Sequence, residues 1–376
     1  MWGRKMKKVL FTATVDSHIL HFHIPYLQYF HEQGYEVHVA TNGTEEIPFC
    51  DVKHTVSFER SPFKANNIKA IKQLKEIIDK EKFNIIHCHT PMGSVVTRLA
   101  AKQARKKYNT KVMYTAHGFH FFKGAPILNW ILFYPVEKWL SKYTDCLITI
   151  NEEDYTLAKN KFHAKKVELV HGVGVDEKKF QLNMSEEEKH NLRKQLGLQD
   201  DDFVLIYVAE LNKNKNQMML IQAMQQITDK TIKLLLVGKG ELQEYYKQQV
   251  KQMHLDKNII FTGYRKDIPQ LLKISDLCVA TSKREGLPVN IIEAMMSGLP
   301  IIATNCRGHR DLIKNEKNGY ILEINDIQGL QECILKLYNE EKLRKNMGKT
   351  GEKSAQQYLL KNIQDKMKKI YNEVEI

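Results

Sequence analysis

The chain of 376 residues is too long for one ordinary hydrophobic core, and its length predicts two domains of roughly 150–200 residues each. Its 43% hydrophobic and 27% charged residues are typical of a soluble globular protein and exclude a low-complexity chain. The net charge of +13 lies mostly in residues 1–180 and is compatible with an anionic membrane surface, a phosphorylated substrate or simple solubility. No zinc finger, RNP-like strand or arginine-rich run accompanies it, so we expect no nucleic-acid partner.

The cysteines and the N-terminus predict a cytoplasmic protein. The six cysteines stand far apart without a C-x-x-C pair, which is typical of reduced thiols rather than of a zinc site or a disulfide framework. The apolar run that begins at Val9 is interrupted at Asp16, too early for a signal peptide, and therefore predicts a first β-strand. No window of about 20 apolar residues occurs, so we expect no transmembrane helix. A peripheral position on the inner face of the cell membrane stays open.

Short β-branched runs alternate with amphipathic segments through the first half of the chain. Segments such as Ile68–Lys80 and Ser94–Lys107 carry apolar residues three and four positions apart, which is the spacing of helices. Mostly apolar strands that alternate with helices predict a parallel sheet covered on both faces. The predicted strands of this half are Val9–Thr14, Val37–Thr41, Ile85–His89, Val112–Thr115, Cys146–Ile150 and Val167–Val170.

The alternation pauses at His171–Glu188 and then restarts, which predicts a second doubly wound sheet and a last helix at about Lys353–Glu373. We therefore expect an α/β protein with an N-terminal, acceptor-binding Rossmann-like domain over residues 1–180. A C-terminal, nucleotide-sugar-binding Rossmann-like domain would cover residues 181–352, and residues 353–376 would pack back towards the N-terminal domain. The predicted strands of this half are Phe203–Ala209, Ile232–Val237, Ile259–Phe261, Leu277–Thr281, Ile301–Thr304 and Tyr320–Leu322.

The stretch Ser282–Ala294 carries the strongest chemical signal in the sequence. It follows an apolar strand, and Pro288 suits the first position of a helix. Glu285 is therefore predicted in the loop at the strand end, and Glu293 one to two turns into the helix. In open parallel sheets, ligands bind beyond the carboxyl ends of the strands, which is where Glu285 would lie.

The backbone amides of Gly286 and Leu287 stand between these two acids, at the predicted N-terminus of the helix. Such amides form a ready anion site. A carboxylate on either side of an anion site suits a nucleotide-sugar, in which a diphosphate joins two polyols. The structural alternative is that Glu285 caps the helix and that Glu293 is a surface residue.

The E-x7-E spacing of Glu285 and Glu293 resembles that of retaining glycosyltransferases, and the whole run resembles the family 4 enzymes of the GT-B fold. The resemblance covers essentially the full chain and is strongest to bacterial enzymes of capsule and exopolysaccharide assembly, of the CapM type. It implies two Rossmann-like domains that face each other across a cleft. Further segments that carry it are His171–Asp176, Val237–Gly240, Gly263–Ile268, Gly298–Thr304 and Asn318–Tyr320.

The resemblance implies a role for each matching residue of a donor site. Glu285 would contact hydroxyls of the transferred sugar, and Glu293 would hold the ribose. The amides of Gly286 and Leu287 would bind the diphosphate, together with the side chain of Lys215.

The resemblance also implies a base pocket and a residue from the first domain. Gly263, Tyr264 and Arg265 would line the base pocket. His117 would face the transferred sugar and share the catalytic role with Glu285. The implied reaction retains the anomeric configuration and needs neither a metal nor a cofactor, and uridine is the favoured base.

Two loops depart from the family pattern. Residues 209–211 read Ala-Glu-Leu where the family usually has Gly-Arg-Leu, so Glu210 replaces an arginine expected on the diphosphate. Lys213, Lys215, Lys283 or Arg284 would have to offset that loss. The first loop, Thr14–His18, also lacks the paired glycines of the family.

Four histidines fall near predicted strand ends in the first half: His87, His89, His117 and His120. Their spacings of two and three residues come without a helix or a supporting acid, so we expect no metal site. Hydrogen bonding to sugar hydroxyls and plain structural use are the two interpretations that we retain.

The aromatic segment Phe119–Leu140 has two interpretations. It predicts either an amphipathic helix packed into the core or a surface that dips into the membrane interface. The second would suit an acceptor linked to a polyprenyl diphosphate.

The leading hypothesis is therefore a retaining glycosyltransferase that moves a sugar from a nucleotide-sugar, with UDP favoured, to a saccharide or membrane-lipid-linked acceptor in capsule or exopolysaccharide assembly. The first alternative is a nucleotide-sugar epimerase on the same fold, which would act on the donor without an acceptor. The second is a non-catalytic nucleotide-sugar-binding protein, which the Glu210 departure keeps open and which detectable transfer would exclude.

Overall fold

The computed structural model describes residues 6–180 and 182–375, apart from the side chain of residue 375. The chain forms two compact units. The first comprises the residues up to Val173 and those from Asn362 onward, and the second runs from Gly174 to Lys361. Each unit contains one parallel sheet, as the alternating pattern predicts. Among the described residues, no helix has both the length and the hydrophobicity needed to span a bilayer.

The first unit alternates strands and helices. Its elements before Val173 are β1 (Lys8–Thr12), α1 (Asp16–Phe22), α2 (Ile24–Glu32), β2 (Glu36–Thr41), β3 (Val52–Thr55), α3 (Asn66–Glu81), β4 (Ile85–Cys88), α4 (Pro91–Ala100), α5 (Ala104–Lys107), β5 (Lys111–Ala116), α6 (Ile127–Leu132), α7 (Tyr134–Leu140), β6 (Cys146–Thr149), α8 (Glu152–Lys161) and β7 (Lys166–Leu169).

The first sheet has the strand order β3-β2-β1-β4-β5-β6-β7, and its neighbouring strands are parallel. The chain moves outward from β1 to β3 and then returns to the other side of β1 at β4. This reversal of strand order is the position at which doubly wound sheets bind ligands. The prediction from sequence missed β3, because this short edge strand is half-exposed and carries two polar residues, Lys53 and His54, between apolar and β-branched ones.

The second unit repeats this pattern. Its elements are α9 (Glu177–Phe180), α10 (Glu186–Gln195), β8 (Phe203–Val208), α11 (Gln217–Gln225), β9 (Ile232–Val237), α12 (Gln243–Gln252), β10 (Ile259–Gly263), α13 (Ile268–Lys273), β11 (Leu277–Ala280), α14 (Val289–Met296), β12 (Ile301–Thr304), α15 (Arg307–Leu312), β13 (Gly319–Leu322), α16 (Ile327–Asn339) and α17 (Glu341–Ala355). The strand order is β10-β9-β8-β11-β12-β13, again parallel throughout.

The last helix, α18 (Leu360–Glu375), starts later than the sequence pattern predicts. A short 3-10 turn at Gln356–Tyr358 separates it from α17, and Leu359 forms a bridge with Val175. Gly174 permits this approach: its φ is +81°, and a Cβ there would lie 2.6 Å from the Cα of Leu360. A continuous helix over 353–373 was therefore wrong, because this pairing interrupts it.

The apolar face of α18 belongs to the core of the first unit. Its side chains pack with α2 and with one face of the first sheet; they are Ile363, Met367, Ile370, Tyr371 and Val374. A separate core, built on α3 and α4, covers strand residues that include Leu10, Ile86 and Val112. Burial of both faces explains why the strands of this sheet read as apolar runs.

Candidate donor-binding site and histidine cluster

The strand order of the second sheet places two distant loops side by side. β8 and β11 are neighbours, although β9 and β10 separate them in the sequence. The loop after β8 covers residues 209–216, and the loop after β11 covers residues 281–288. Because the order of strands reverses here, the two loops flank the position at which such a sheet forms its ligand crevice.

Lys215 and Glu285 meet between these two loops. The ammonium group of Lys215 donates a hydrogen bond to Glu285 Oε1 at 2.6 Å. Their side chains are 22% and 13% exposed, so the pair is held in place yet is open to solvent on one side. An ammonium group can bind a phosphate, and a carboxylate can accept hydrogen bonds from hydroxyls. The two groups to which the resemblance gives roles on phosphate and sugar thus lie together.

Buried hydroxyl groups fix the backbone around this pair. The hydroxyl of Tyr207, on β8, donates to the carbonyl of Lys215 at 3.0 Å and lies 2.8 Å from Ser282 Oγ. Thr281 Oγ1 donates to the carbonyl oxygen of Lys215 at 3.1 Å. These bonds tie one loop to the other, so that the position of the Lys215 side chain depends on both strands.

Glu293 lies in the second turn of α14, as predicted. The helix begins at Val289, so Pro288 occupies the N-cap position with an extended backbone rather than the first helical position. This corrects the predicted start by one residue, and it places Gly286 and Leu287 in the loop before the N-cap, so that their amides are not those of the first helical turn as predicted. Burial raises the pKa of Glu293 to about 7, and the charge of Lys179 offsets this only in part. Near neutral pH the carboxyl group can therefore either donate or accept a hydrogen bond.

The residues predicted to line a base pocket lie at the end of β10, an edge strand of the second sheet. Gly263 closes the strand with a φ of +68°, and its carbonyl accepts a hydrogen bond from the amide of Gly238 at 2.9 Å. The ring of Tyr264 is 69% exposed. Arg265 is already engaged, because its Nε donates to Asp267 at 2.8 Å. An exposed tyrosine beside a fixed guanidinium offers a flat surface for stacking.

Glu210 does not enter the Lys215–Glu285 pair. Its exposed carboxylate accepts a hydrogen bond from Asn212 Nδ2 at 3.0 Å, within its own loop. Its carbonyl accepts a bond from Gln217 Nε2 at 2.8 Å. The acid that replaces the family arginine thus has a local partner.

Two residues beside Glu285 were missed by sequence reasoning. Buried Arg307, in α15, donates from Nε to the carbonyl of Glu285 at 3.1 Å. His309 is fully buried; burial lowers its pKa to about 4, while the charge of Glu285 acts in the opposite direction. Both follow β12, the next strand in the sheet, and the only sequence signal for them was their position after a strand end.

His117 follows β5 in the first unit and lies in a group of histidines. The rings of His18, His23 and His89 have their centroids 4.8, 6.1 and 6.0 Å from that of His117. Burial lowers the pKa of His117 to about 3 and that of His18 to about 4. Both are therefore neutral imidazoles at physiological pH.

The other two histidines singled out from the sequence have different surroundings. His87 Nδ1 is 2.8 Å from the hydroxyl of Tyr371, and its Nε2 is 2.8 Å from Thr115 Oγ1, so its ring has a structural role in joining β4 to α18 and β5. His120 packs its ring against Phe133 at 5.1 Å. Of the four, the structure brings together His87, His89 and His117, since the ring centroid of His89 lies 4.1 Å from that of His87 and 6.0 Å from that of His117.

Two family models match the chain in consecutive parts. Residues 8–151 match the model described as "Glycosyl transferase 4-like", and residues 188–354 match "Glycosyl transferases group 1". The chain is 44% identical over 369 residues to EpsD of Bacillus subtilis (strain 168), named as a glycosyltransferase, with 97% of this chain and 96% of EpsD covered.

A second relative and a solved structure agree with these matches. The chain is 30% identical over 323 residues to the Escherichia coli UDP-Gal:alpha-D-GlcNAc-diphosphoundecaprenol alpha-1,3-galactosyltransferase, with 82% of each chain covered. The crystal structure of Anabaena HepE in complex with UDP and glucose shares the fold with a TM-score of 0.77 at 19% identity, over 98% of this chain and 100% of HepE. The resemblance seen in the sequence is confirmed: the chain belongs to the family 4-like glycosyltransferases and has their GT-B fold.

Proposed function

We propose that this glycosyltransferase takes a sugar from a UDP-sugar and transfers it, with retention of anomeric configuration, to a saccharide carried on a lipid diphosphate. The observation that carries the proposal is the contact of Lys215 with Glu285 at the reversal of strand order in the second sheet. The name of the E. coli relative contains both UDP-galactose and a diphosphoundecaprenol acceptor, and HepE was crystallised with UDP and glucose. These names support the choice of base and acceptor.

The charges of this site match those of the reaction. Cleavage of the bond between sugar and phosphate builds negative charge on the leaving diphosphate and positive charge on the anomeric carbon. Lys215 and the amides of Gly286 and Leu287 would stabilise the first, and removing one such donor costs roughly 3 kcal/mol of transition-state free energy. Glu285 would hold hydroxyls of the sugar, and Glu293 the ribose. In this scheme no metal acts on the diphosphate.

Binding of a donor would break the contact between Lys215 and Glu285 and give each side chain a new partner. The diphosphate would compete with Glu285 for the ammonium group of Lys215, and the released carboxylate would accept hydrogen bonds from the sugar. Glu210 would not oppose this exchange directly, because its carboxylate is bound to Asn212. Lys215 is the cation that we assign to the diphosphate, as the resemblance implies, and His117 of the first unit is the residue that we assign to the sugar.

The aromatic segment supports a membrane-linked acceptor. One face of this segment packs into the core, and we assign the membrane interpretation to the face that stays exposed. Phe119 and Phe121 are buried in a core cluster against which Trp130 packs. The opposite face of α6 and α7 is exposed by 41–77%; its residues are Ile127, Leu128, Ile131, Leu132, Val136 and Trp139. Neighbouring apolar side chains that stay in water are typical of a surface that binds a membrane or another protein.

The proposal is tested by an assay with purified protein, a panel of UDP- and GDP-sugars and a saccharide linked to a polyprenyl diphosphate. We expect one UDP-sugar to be consumed only when the acceptor is present, and NMR of the product to show the anomeric configuration of the donor. Inversion would overturn the retaining mechanism. Conversion of the donor without an acceptor would indicate an epimerase, and binding without turnover would indicate a non-catalytic protein.

A further inference from the structure

Four histidine rings converge where the strand order of the first sheet reverses. His18 lies in α1 and His23 between α1 and α2, whereas His89 follows β4 and His117 follows β5. One ring nitrogen from each lies within 4.8 Å of those of the other three. The four residues span a hundred positions of sequence, and parallel pairing of β1, β4 and β5 brings their loops to one edge of the sheet.

Six of the eight ring nitrogens of this histidine cluster have no hydrogen-bond partner among the residues that the structure describes. Nε2 of His18, Nε2 of His117 and both ring nitrogens of His23 and His89 are buried without one. His23 and His89 are 3% and 0% exposed, and their rings stack with centroids 3.7 Å apart. A neutral imidazole has one donor and one acceptor nitrogen, and buried polar atoms without partners are costly. Six such atoms in one place indicate that something else binds there.

Backbone strain occurs next to the cluster. Thr90 directly follows His89 and has a φ of +61°, a conformation that is rare for a β-branched residue. Its Oγ1 accepts a hydrogen bond from the amide of Thr14 at 3.1 Å and donates one to the carbonyl of His89 at 2.6 Å. The amide of His89 donates to the carbonyl of Thr12 at 2.8 Å. These bonds hold the His89 backbone in place, and such strain is concentrated at functional sites.

We propose that His18, His23, His89 and His117 form a binding site for a divalent transition-metal ion, typically Zn²⁺. Neutral imidazole is a common ligand of zinc, and zinc prefers four ligands in a tetrahedron. With Zn–N bonds of about 2.0–2.1 Å, the ligand nitrogens of a tetrahedron lie about 3.4 Å apart. The four nitrogens lie within 4.8 Å of one another, so each pair has to approach by at most about 1.4 Å. The four ligands include no carboxylate, which disfavours Mg²⁺ and Ca²⁺, because these ions prefer oxygen.

The ion would connect α1 to the ends of β4 and β5, so its binding should stabilise the first unit. It would also occupy the Nε2 of His117. If His117 faces the transferred sugar, metal binding would slow transfer. That consequence depends on the proposed function, whereas the binding of the metal does not.

The test uses Co²⁺, whose visible absorption reports tetrahedral coordination. Full-length protein without an affinity tag is freed of metal with a chelator and titrated with Co²⁺ and then with Zn²⁺. We expect tetrahedral bands that saturate at one ion per chain, disappear on addition of Zn²⁺, and accompany a higher Tm. His18→Gln and His117→Gln should each weaken Co²⁺ binding at least about tenfold, since even the loss of an outer partner of a metal ligand costs 10–100-fold.

His21→Gln is the matched control, because His21 is exposed on the same helix as His18. It should bind Co²⁺ as the wild type does. Because His18 and His117 are partly exposed, their variants are expected to fold, which circular dichroism checks. Absence of tetrahedral bands in the wild type, or equal binding by all three variants, would overturn the proposal whether or not the protein transfers sugar.

Discussion

Nζ of Lys215 lies 2.6 Å from Oε1 of Glu285, although the two residues are 70 positions apart in the sequence. The pair exists because β8 and β11 are neighbours in the sheet, so that the loops that follow them meet. In this arrangement each charge keeps the other in position, and in the proposed function a donor, which carries both an anion and hydroxyl groups, would separate them.

Replacement of the carboxylate should abolish most of the transfer without unfolding the protein. Glu285→Gln keeps the size of the side chain but weakens the acceptor for sugar hydroxyls. We expect kcat/KM to fall by about 100–1000-fold. The free energy of unfolding should change by less than about 2 kcal/mol, because the glutamine can still accept a hydrogen bond from Lys215 and the pair is open to solvent on one side.

Glu352→Gln is the control for this variant, since Glu352 is an exposed acid on α17. Initial rates of transfer and urea unfolding are measured for both. Wild-type activity in Glu285→Gln would mean that the sugar binds elsewhere.

Loss of the ammonium group should weaken binding of UDP. Lys215→Met removes a charged hydrogen-bond donor worth about 1.5–3 kcal/mol, which corresponds to an increase in the Kd for UDP of about 10–150-fold. Lys213→Met removes the same charge from an exposed position two residues away in the same loop. It should raise the Kd by less than about threefold. Calorimetric titration with UDP measures both, and equal effects would show that only the net charge of the loop matters.

The raised pKa of Glu293 predicts a dependence of stability on pH. Burial raises this pKa to about 7, above the ordinary value of 4.5, so the folded state holds the proton more tightly than the unfolded chain does. The resulting contribution to stability is fully present below about pH 4.5 and is lost as the pH rises through about 7. Glu293→Gln is neutral at every pH. It should therefore be more stable than the wild type at about pH 8, by about 2–3 kcal/mol, and the difference should vanish towards about pH 4.

Urea unfolding at several pH values measures this difference for Glu293→Gln, with Glu352→Gln as the matched control. The control should follow the wild-type curve. Parallel curves for Glu293→Gln and the wild type would show that Glu293 titrates as an ordinary surface acid.

Gly308 tests how closely α15 must approach the loop that carries Glu285. A Cβ at Gly308 would lie 2.6 Å from the carbonyl oxygen of Gly286, so Gly308→Ala should displace that loop and raise the Kd for UDP. Gly348→Ala is the control, because its Cβ would meet the carbonyl of Gly298 at 2.0 Å, outside the loops assigned to the donor. Both should lower Tm. If both, or neither, change UDP affinity, the loop is not a specific part of the donor site.

The exposed face of α6 and α7 should bind anionic membranes. The double variant Leu128→Asp/Ile131→Asp replaces two apolar side chains that are 62% and 63% exposed with negatively charged ones. Because charged side chains do not enter the membrane interface as apolar ones do, this variant should be released from liposomes at low salt. Phe63→Asp changes a side chain that is 87% exposed and lies outside this segment, and it should leave binding unchanged. Liposome flotation with phosphatidylglycerol measures both. No binding of the wild type would contradict membrane attachment.

Local patterns were sufficient for much of the fold. The β-branched runs of the sequence predicted strands such as β8 and β11. The loop that carries Glu285 and the helix that carries Glu293 were also predicted, because they directly follow a strand along the chain. The errors have local causes as well. β3 lacks an apolar run, and α14 starts after Pro288 because the extended backbone of the proline places it before the first turn.

The sequence by itself therefore determined three things: the alternation of strands and helices, the family, and the placement of Glu285 in a loop and Glu293 in the helix that follows it. All three depend on residues that are close together along the chain. Only the tertiary structure decided which groups meet. The contact of Lys215 with Glu285 and the convergence of His18 and His23 on His89 and His117 depend on the strand order of each sheet. Strand order is fixed by packing between segments distant in sequence, and spacing along the chain carries no record of it.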